Sequence, residues 1–119
     1  MTSRELNLKL TEALPEIKNV YYDETSWQEG DETGSHVVYA DVLVPYIKEQ
    51  IATKNSLLLI KIFDFIELLI TTNDEYANEV VELSVLESLL FDEETDKKFF
   101  LQFAKQNTLK MVENIIQNL

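Results

Sequence analysis

The chain has 119 residues, the length of one domain, and a chain near this size buries roughly 65% of the surface its unfolded form exposes. Hydrophobic residues make up 45% of it, enough for a packed core and against disorder. Its 22 acids against 10 bases give a formal charge of −12. That balance repels phosphate backbones and anionic lipid, which argues against nucleic-acid and membrane partners, and it favours basic ones.

The absence of cysteine removes disulfides and thiolate metal sites, so stability must come from packing. The first residues, MTSRELNLKLTEALPEI, hold no continuous apolar region of the kind a secretory signal needs, and no later run is long enough to span a bilayer. A cytoplasmic protein is expected. Two glycines and two prolines leave little turn chemistry for a many-stranded sheet. The expected fold is all-α: one domain over 1–119, built as an array of about five to six helices with antiparallel hairpins.

In chain order, Leu6, Leu8, Leu10 and Leu14 give a helix from about Ser3 to Leu14, after which Pro15 either opens a short helical turn through Val20 or breaks the first helix. Residues 22–36, YDETSWQEGDETGSH, hold both glycines, five acids and no Lys or Arg. They are expected to form the longest loop. Trp27 within it is expected to fold back as a lid over a core edge; its alternative is an anchor for a partner, since Trp is enriched among interface hot spots. His36 is the only histidine, and a structural or helix-flanking role is expected for it.

Val37 to Val44 is rich in β-branched residues and admits a short strand. The spacing favours a helix from about Tyr39–Asp41 to Ala52, with Pro45 in or near its first turn. Asn55 or Ser56 then caps the most apolar stretch of the chain, LLLIKIFDFIELLI from Leu57 to Ile70, in which eleven of fourteen residues are apolar. Lys61, Asp64 and Glu67 make one narrow polar stripe on that helix, so other helices must cover the rest of it. Thr72 and Glu75 have the spacing of a capping box for a helix over about 75–91. Its inward face is expected to be Tyr76, Val80, Leu83, Leu86 and Leu90, with Glu75, Glu79 and Glu82 on an exposed one. A fifth helix begins near Asp92–Asp96, and Asn107 or Thr108 caps the last, with Leu109, Val112, Ile115, Ile116 and Leu119 inward. The hairpin over 57–92 can be read as one HEAT-like unit, although no fixed sequence period accompanies it.

No catalytic motif is present. The lone His36 has no Gly-x-Ser-x-Gly elbow to serve, the glycines of a phosphate loop are missing, and the carboxylate pairs Glu79/Glu82 and Asp64/Glu67 lack the Glu-x-x-His partners of a bundle metal site. No enzyme activity, metal or cofactor is expected. The informative pattern is charge: between Lys61 and Lys97 stand eleven acids, Asp64 to Asp96, and no base.

The stretch KIFDFIELLITTNDEYANEVVELSVLESL, Lys61 to Leu89, together with Asp41, Pro45, Asn107, Thr108 and Leu109, resembles a family of small, acidic, mostly helical bacterial proteins without established activity. Members of such families are often taken to be immunity proteins that neutralise toxins. The resemblance implies an immunity-type protein whose partner is a basic toxin domain, with a general helical interaction or scaffold domain as the alternative. Trp27, Glu29, Asp31 and Glu32 of the loop, and Glu75, Glu79 and Glu82 of the helix after it, are the expected partner-binding residues. The unusually apolar helices also leave room for a homodimer.

Overall fold

The computed structural model describes residues 1–119. It contains seven helices and no strand. Helix α1 is Ser3–Ala13, opened by a capping box in which the Thr2 hydroxyl accepts from the Glu5 amide and the Glu5 carboxylate accepts from the Thr2 amide. Helix α2 starts as a 3-10 turn, Pro15–Ile17, and runs on as Lys18–Thr25. Helix α3 spans 35–52 in three parts: Ser35–Val38, a π-helical stretch Tyr39–Leu43, and Val44–Ala52. Helix α4 is Ser56–Thr71. Helix α5 covers 75–90 as Glu75–Glu79, a π-helical stretch Val80–Leu86, and Glu87–Leu90. Helix α6 is Lys97–Phe100 with a 3-10 extension Leu101–Phe103, and α7 is Gln106–Gln117.

The all-α expectation holds, with seven helices in place of five to six. The added one is α2: Pro15 supplies the fixed φ of a first helical turn and the chain continues through Thr25. Residues 22–36 are therefore a shorter loop than expected. Helix α2 occupies their start, a 3-10 turn at Gly30–Glu32 their middle, and α3 begins at Ser35.

Helix α4 is central, packing against α3, α5, α6 and α7. Its Leu59, Ile62, Phe63, Ile66 and Leu69 join a single core of 30 buried residues, in which Phe63 stacks on Phe100 at 5.9 Å between ring centroids. Its outer stripe differs from the expected charged one. Leu57, Ile60 and Leu68 are exposed beside Lys61 and Asp64, and those two charges reach Glu16 (3.2 Å) and Lys105 (2.6 Å). Asn55 caps the helix as expected, accepting from the Leu58 amide.

Glu67 turns away from that stripe altogether. Its carboxylate accepts from the amides of Asn107 (3.1 Å) and Thr108 (2.9 Å), and from the side chains of the same two residues. The cap of α7 thus comes from another helix, and Asn107 and Thr108, expected as the capping acceptors, are donors instead. Burial pushes the Glu67 pKa up, but these hydrogen bonds outweigh it and hold the group below its ordinary 4.5. A depressed carboxylate pKa stabilises the fold above the unfolded value, and that contribution disappears as pH falls through the folded one. Glu67→Ala is expected to cost about 1–2 kcal/mol at neutral pH, the size of a lost N-cap. Urea unfolding at pH 7 and at pH 3 checks this: the gap between wild type and variant should shrink at the lower pH.

The possible strand at Val37–Val44 is helical. Pro45 does not open the helix but stands inside it, where its ring clashes with the Asp41 carbonyl in α geometry. The helix widens just before it, and the Val44 amide bonds to the Tyr39 carbonyl five residues back. Between α4 and α5 the expected Thr72–Glu75 box is absent as well. Asn73 takes a left-handed φ of 58°, so the turn reverses one residue later. Asp74, not Thr72, then accepts from the Ala77 amide as N-cap.

Candidate partner-binding surface

The acids of the one-signed stretch have different fates. Asp64 pairs with Lys105, Asp74 with the Met1 ammonium, Asp92 with Lys48 (3.0 Å) and Asp96 with Lys54 (3.2 Å). Asp92 shows the strength of such an arrangement: the Lys48 hydrogen bond, helped by the Thr95 hydroxyl and the Glu94 amide, lowers its pKa to about 2. Glu67 caps α7, and the acids left without a Lys or Arg partner are Glu75, Glu79, Glu82 and Glu87 of α5 and Glu93 and Glu94 just after it.

On an unbroken α-helix Glu75, Glu79 and Glu82 would share one face. The π-helical stretch Val80–Leu86 winds more slowly and alters that register. Glu75 and Glu79 stay exposed, Glu82 is half-buried, and Leu83, expected inward, is 47% exposed. The outer face of α5 therefore carries a leucine among its carboxylates. Helical spacing alone missed it, because nothing in the apolar pattern marks a π turn.

This face is joined to α3, whose own π-helical stretch packs against that of α5. His36 at the start of α3 spans the seam. Its Nδ1 shares a hydrogen bond with the Ser84 hydroxyl at 2.6 Å, its Nε2 lies 3.7 Å from the Glu79 carboxylate, and its ring meets Tyr76 edge-on. The structural role expected of His36 is the one observed.

A buried polar web fixes the end of the acidic loop beside the first turn of α5. The Asn7 amide group donates to the carbonyls of Asp31 (3.0 Å) and Thr33 (2.7 Å), and the Ser35 hydroxyl donates to Asn7 Oδ1 (2.8 Å). The Ser35 amide in turn donates to the hydroxyls of Ser3 and Tyr76, which share a hydrogen bond with each other. Two of the sequence-derived stretches, the loop and α5, thus meet at Ser35, His36, Tyr76 and Glu79.

Within the loop the expected site residues separate. The Asp31 side chain faces inward, accepting from the Tyr21 hydroxyl at 2.7 Å with Arg4 at 3.9 Å, so it is part of the framework. Burial first and this hydrogen bond second raise the Tyr21 pKa. Glu29 and Glu32 are exposed. Trp27 is 73% exposed and is no lid; the turn after α2 carries it outward. Trp27→Ala should therefore change folding stability by no more than about 0.5 kcal/mol, the range of ordinary surface substitutions. Thermal unfolding of the variant checks this.

Leu109 and Ile116 of α7 and Leu119 beyond its end, all expected inward, are also exposed, while Thr108, Val112 and Ile115 are buried. With Glu67 capping the helix through Thr108, that side of α7 faces α4.

Fold and surface together define an all-helical domain with an acidic face and a projecting tryptophan. The chain belongs to a family described as a domain of unknown function, DUF7674, whose model matches residues 7–119. No curated protein and no solved structure matches it. No helix is long and apolar enough to cross a membrane.

Proposed function

We propose that the protein is an immunity-type inhibitor of bacterial origin that acts in the cytoplasm, binding a cognate toxin with a basic surface and neutralising it. The observation that carries this reading is the outer face of α5, where Glu75, Glu79 and Glu82 stand on a rigid helix without a Lys or Arg partner. Such a face speeds encounter with a cationic protein and disfavours acidic ones. Leu83 and Trp27 add apolar contact that carboxylates cannot supply, as hot-spot anchors do. The mechanism is occlusion: the acidic face covers the substrate site of the toxin or holds it in an inactive state, and the chain itself performs no reaction.

A general helical interaction domain is the second reading, favoured by the exposed Leu57, Ile60 and Leu68 on α4. A surface of that kind suits an apolar partner, including a second copy of the chain. Affinity capture with tagged protein at low and high salt, followed by mass spectrometry, separates the two. One predominant basic partner that weakens with salt supports the inhibitor; retention of unrelated or acidic proteins unaffected by salt overturns it.

A further inference from the structure

The outer stripe of α4 is complementary to itself. Leu57, Lys61, Asp64 and Leu68 are all exposed, and their spacing puts them within about 60° of one another around the helix. In order they are apolar, basic, acidic and apolar. Reversing the helix sets leucine against leucine and lysine against aspartate.

We propose that this face is where two copies of the chain pair, with α4 antiparallel to α4 about a twofold axis between Ile62 and Phe63. In that register Leu57 faces Leu68 and Lys61 faces Asp64, each twice, as an isologous contact requires. The two leucines are 81% and 64% exposed and lie about 16 Å apart along α4, so they close the two ends of the seam. An open pocket of about 290 Å³ lies beside Leu68, between α4 and α1, with Ala13, Phe65 and Leu69 in its wall. Leu57 of the second copy comes down next to it.

Charge identifies the occupant. The chain carries −12, so most of its surface repels a second copy. Around this stripe, however, Lys9, Lys61 and Lys105 balance Glu12, Glu16 and Asp64. A basic partner gains no net attraction from such a face. Lys61 and Asp64 keep their pairs with Glu16 and Lys105 and are still nearly half exposed. Across the seam the signs then alternate: Glu16 and Lys61 of one copy, Asp64 and Lys105 of the other. Such pairs add little affinity singly, but they fix the register. The proposal is independent of the acids of α5, on which the inhibitor reading rests.

The test is sedimentation equilibrium of the full chain from micromolar to millimolar concentration, the range suited to the modest area that one helix and its flanks bury. A reversible equilibrium of monomer and dimer is expected. Lys61→Glu and Asp64→Lys should each weaken it about tenfold or more, because each sets like charges together twice. An equimolar mixture of the two variants should recover most of that loss, since both cross-seam pairs then have opposite signs. Both positions are exposed, so the variants are expected to stay folded, and unchanged circular dichroism establishes this. The chain has no cysteine, which lets the register be read directly. Leu57→Cys mixed with Leu68→Cys should form an intermolecular disulfide much faster than either variant alone, because a disulfide needs its Cα atoms within about 7 Å. A chain that stays monomeric throughout, a mixture no better than its components, or equal cross-linking in the unmixed samples would each overturn the pairing. None of these results touches the inhibitor reading, which stands or falls on the charge of the captured partner and on reversal of the α5 acids.

Discussion

Asn7→Ala is expected to lower folding stability by about 3 kcal/mol, because it leaves buried partners without hydrogen bonds at a cost of roughly 1–3 kcal/mol each. Asn7 is fully buried and serves the carbonyls of Asp31 and Thr33 and the hydroxyl of Ser35. Water cannot replace a donor at a site without solvent access. The variant should also show faster amide exchange over residues 26–34, since the web that ties this loop to α1 and to Tyr76 passes through Asn7. Urea unfolding and hydrogen exchange measure the two effects. A loss below about 1 kcal/mol, the net worth of one ordinary hydrogen bond, would mean that the loop is held by other contacts.

Reversal of Glu75, Glu79 and Glu82 to Lys is expected to slow association with the partner tenfold or more at low salt through lost steering, a size within the range of electrostatic rate effects. Dissociation should change less. Glu75 and Glu79 are exposed and Glu82 is half-buried, and none of the three has a Lys or Arg partner, so the fold is expected to tolerate the change. An unaltered circular dichroism spectrum with unchanged association would remove this face from the interface. In the same assay Trp27→Ala should mainly raise the dissociation rate, as loss of an anchor does.

The helices were legible where apolar spacing decides them. Leu57 to Ile70 reads as a core helix and is one, and the Asn55 cap follows from its side chain alone. Local rules failed where a distant residue decides. The spacing of Thr72 and Glu75 suits a capping box, but with Asn73 left-handed the N-cap is Asp74. Asn107 and Thr108 are good capping residues by type, yet Glu67, 40 residues away along the chain, takes the role. That could not be read locally, since an acid on a helix face looks the same whether it meets water or another helix end.

The two π-helical stretches were invisible for a related reason. Periodicity arguments assume one pitch, and a wider turn displaces every later side chain. Leu83 became part of the candidate surface and Glu82 moved partly out of it on this account. For Asp31 the sequence showed an acid in an acidic loop, and only the fold shows Tyr21 and Arg4 beside it. Pro45 is the one available signal for a distorted turn, and its residue type equally suits the first turn of a helix, where the sequence reading puts it.

The central claim is that the α5 acids recruit a basic partner, and the salt dependence of the association rate tests it most directly. Stopped-flow association of the wild-type chain with the captured partner is followed from low to near-physiological ionic strength and above. Steered encounter falls steeply as the Debye length contracts from about 30 Å at 0.01 M to about 8 Å at 0.15 M. The expected result is a steep fall for the wild type that becomes flat or reverses in the triple Lys variant. A wild-type rate that does not change with salt would contradict the account and leave the apolar stripe of α4 as the surface to pursue.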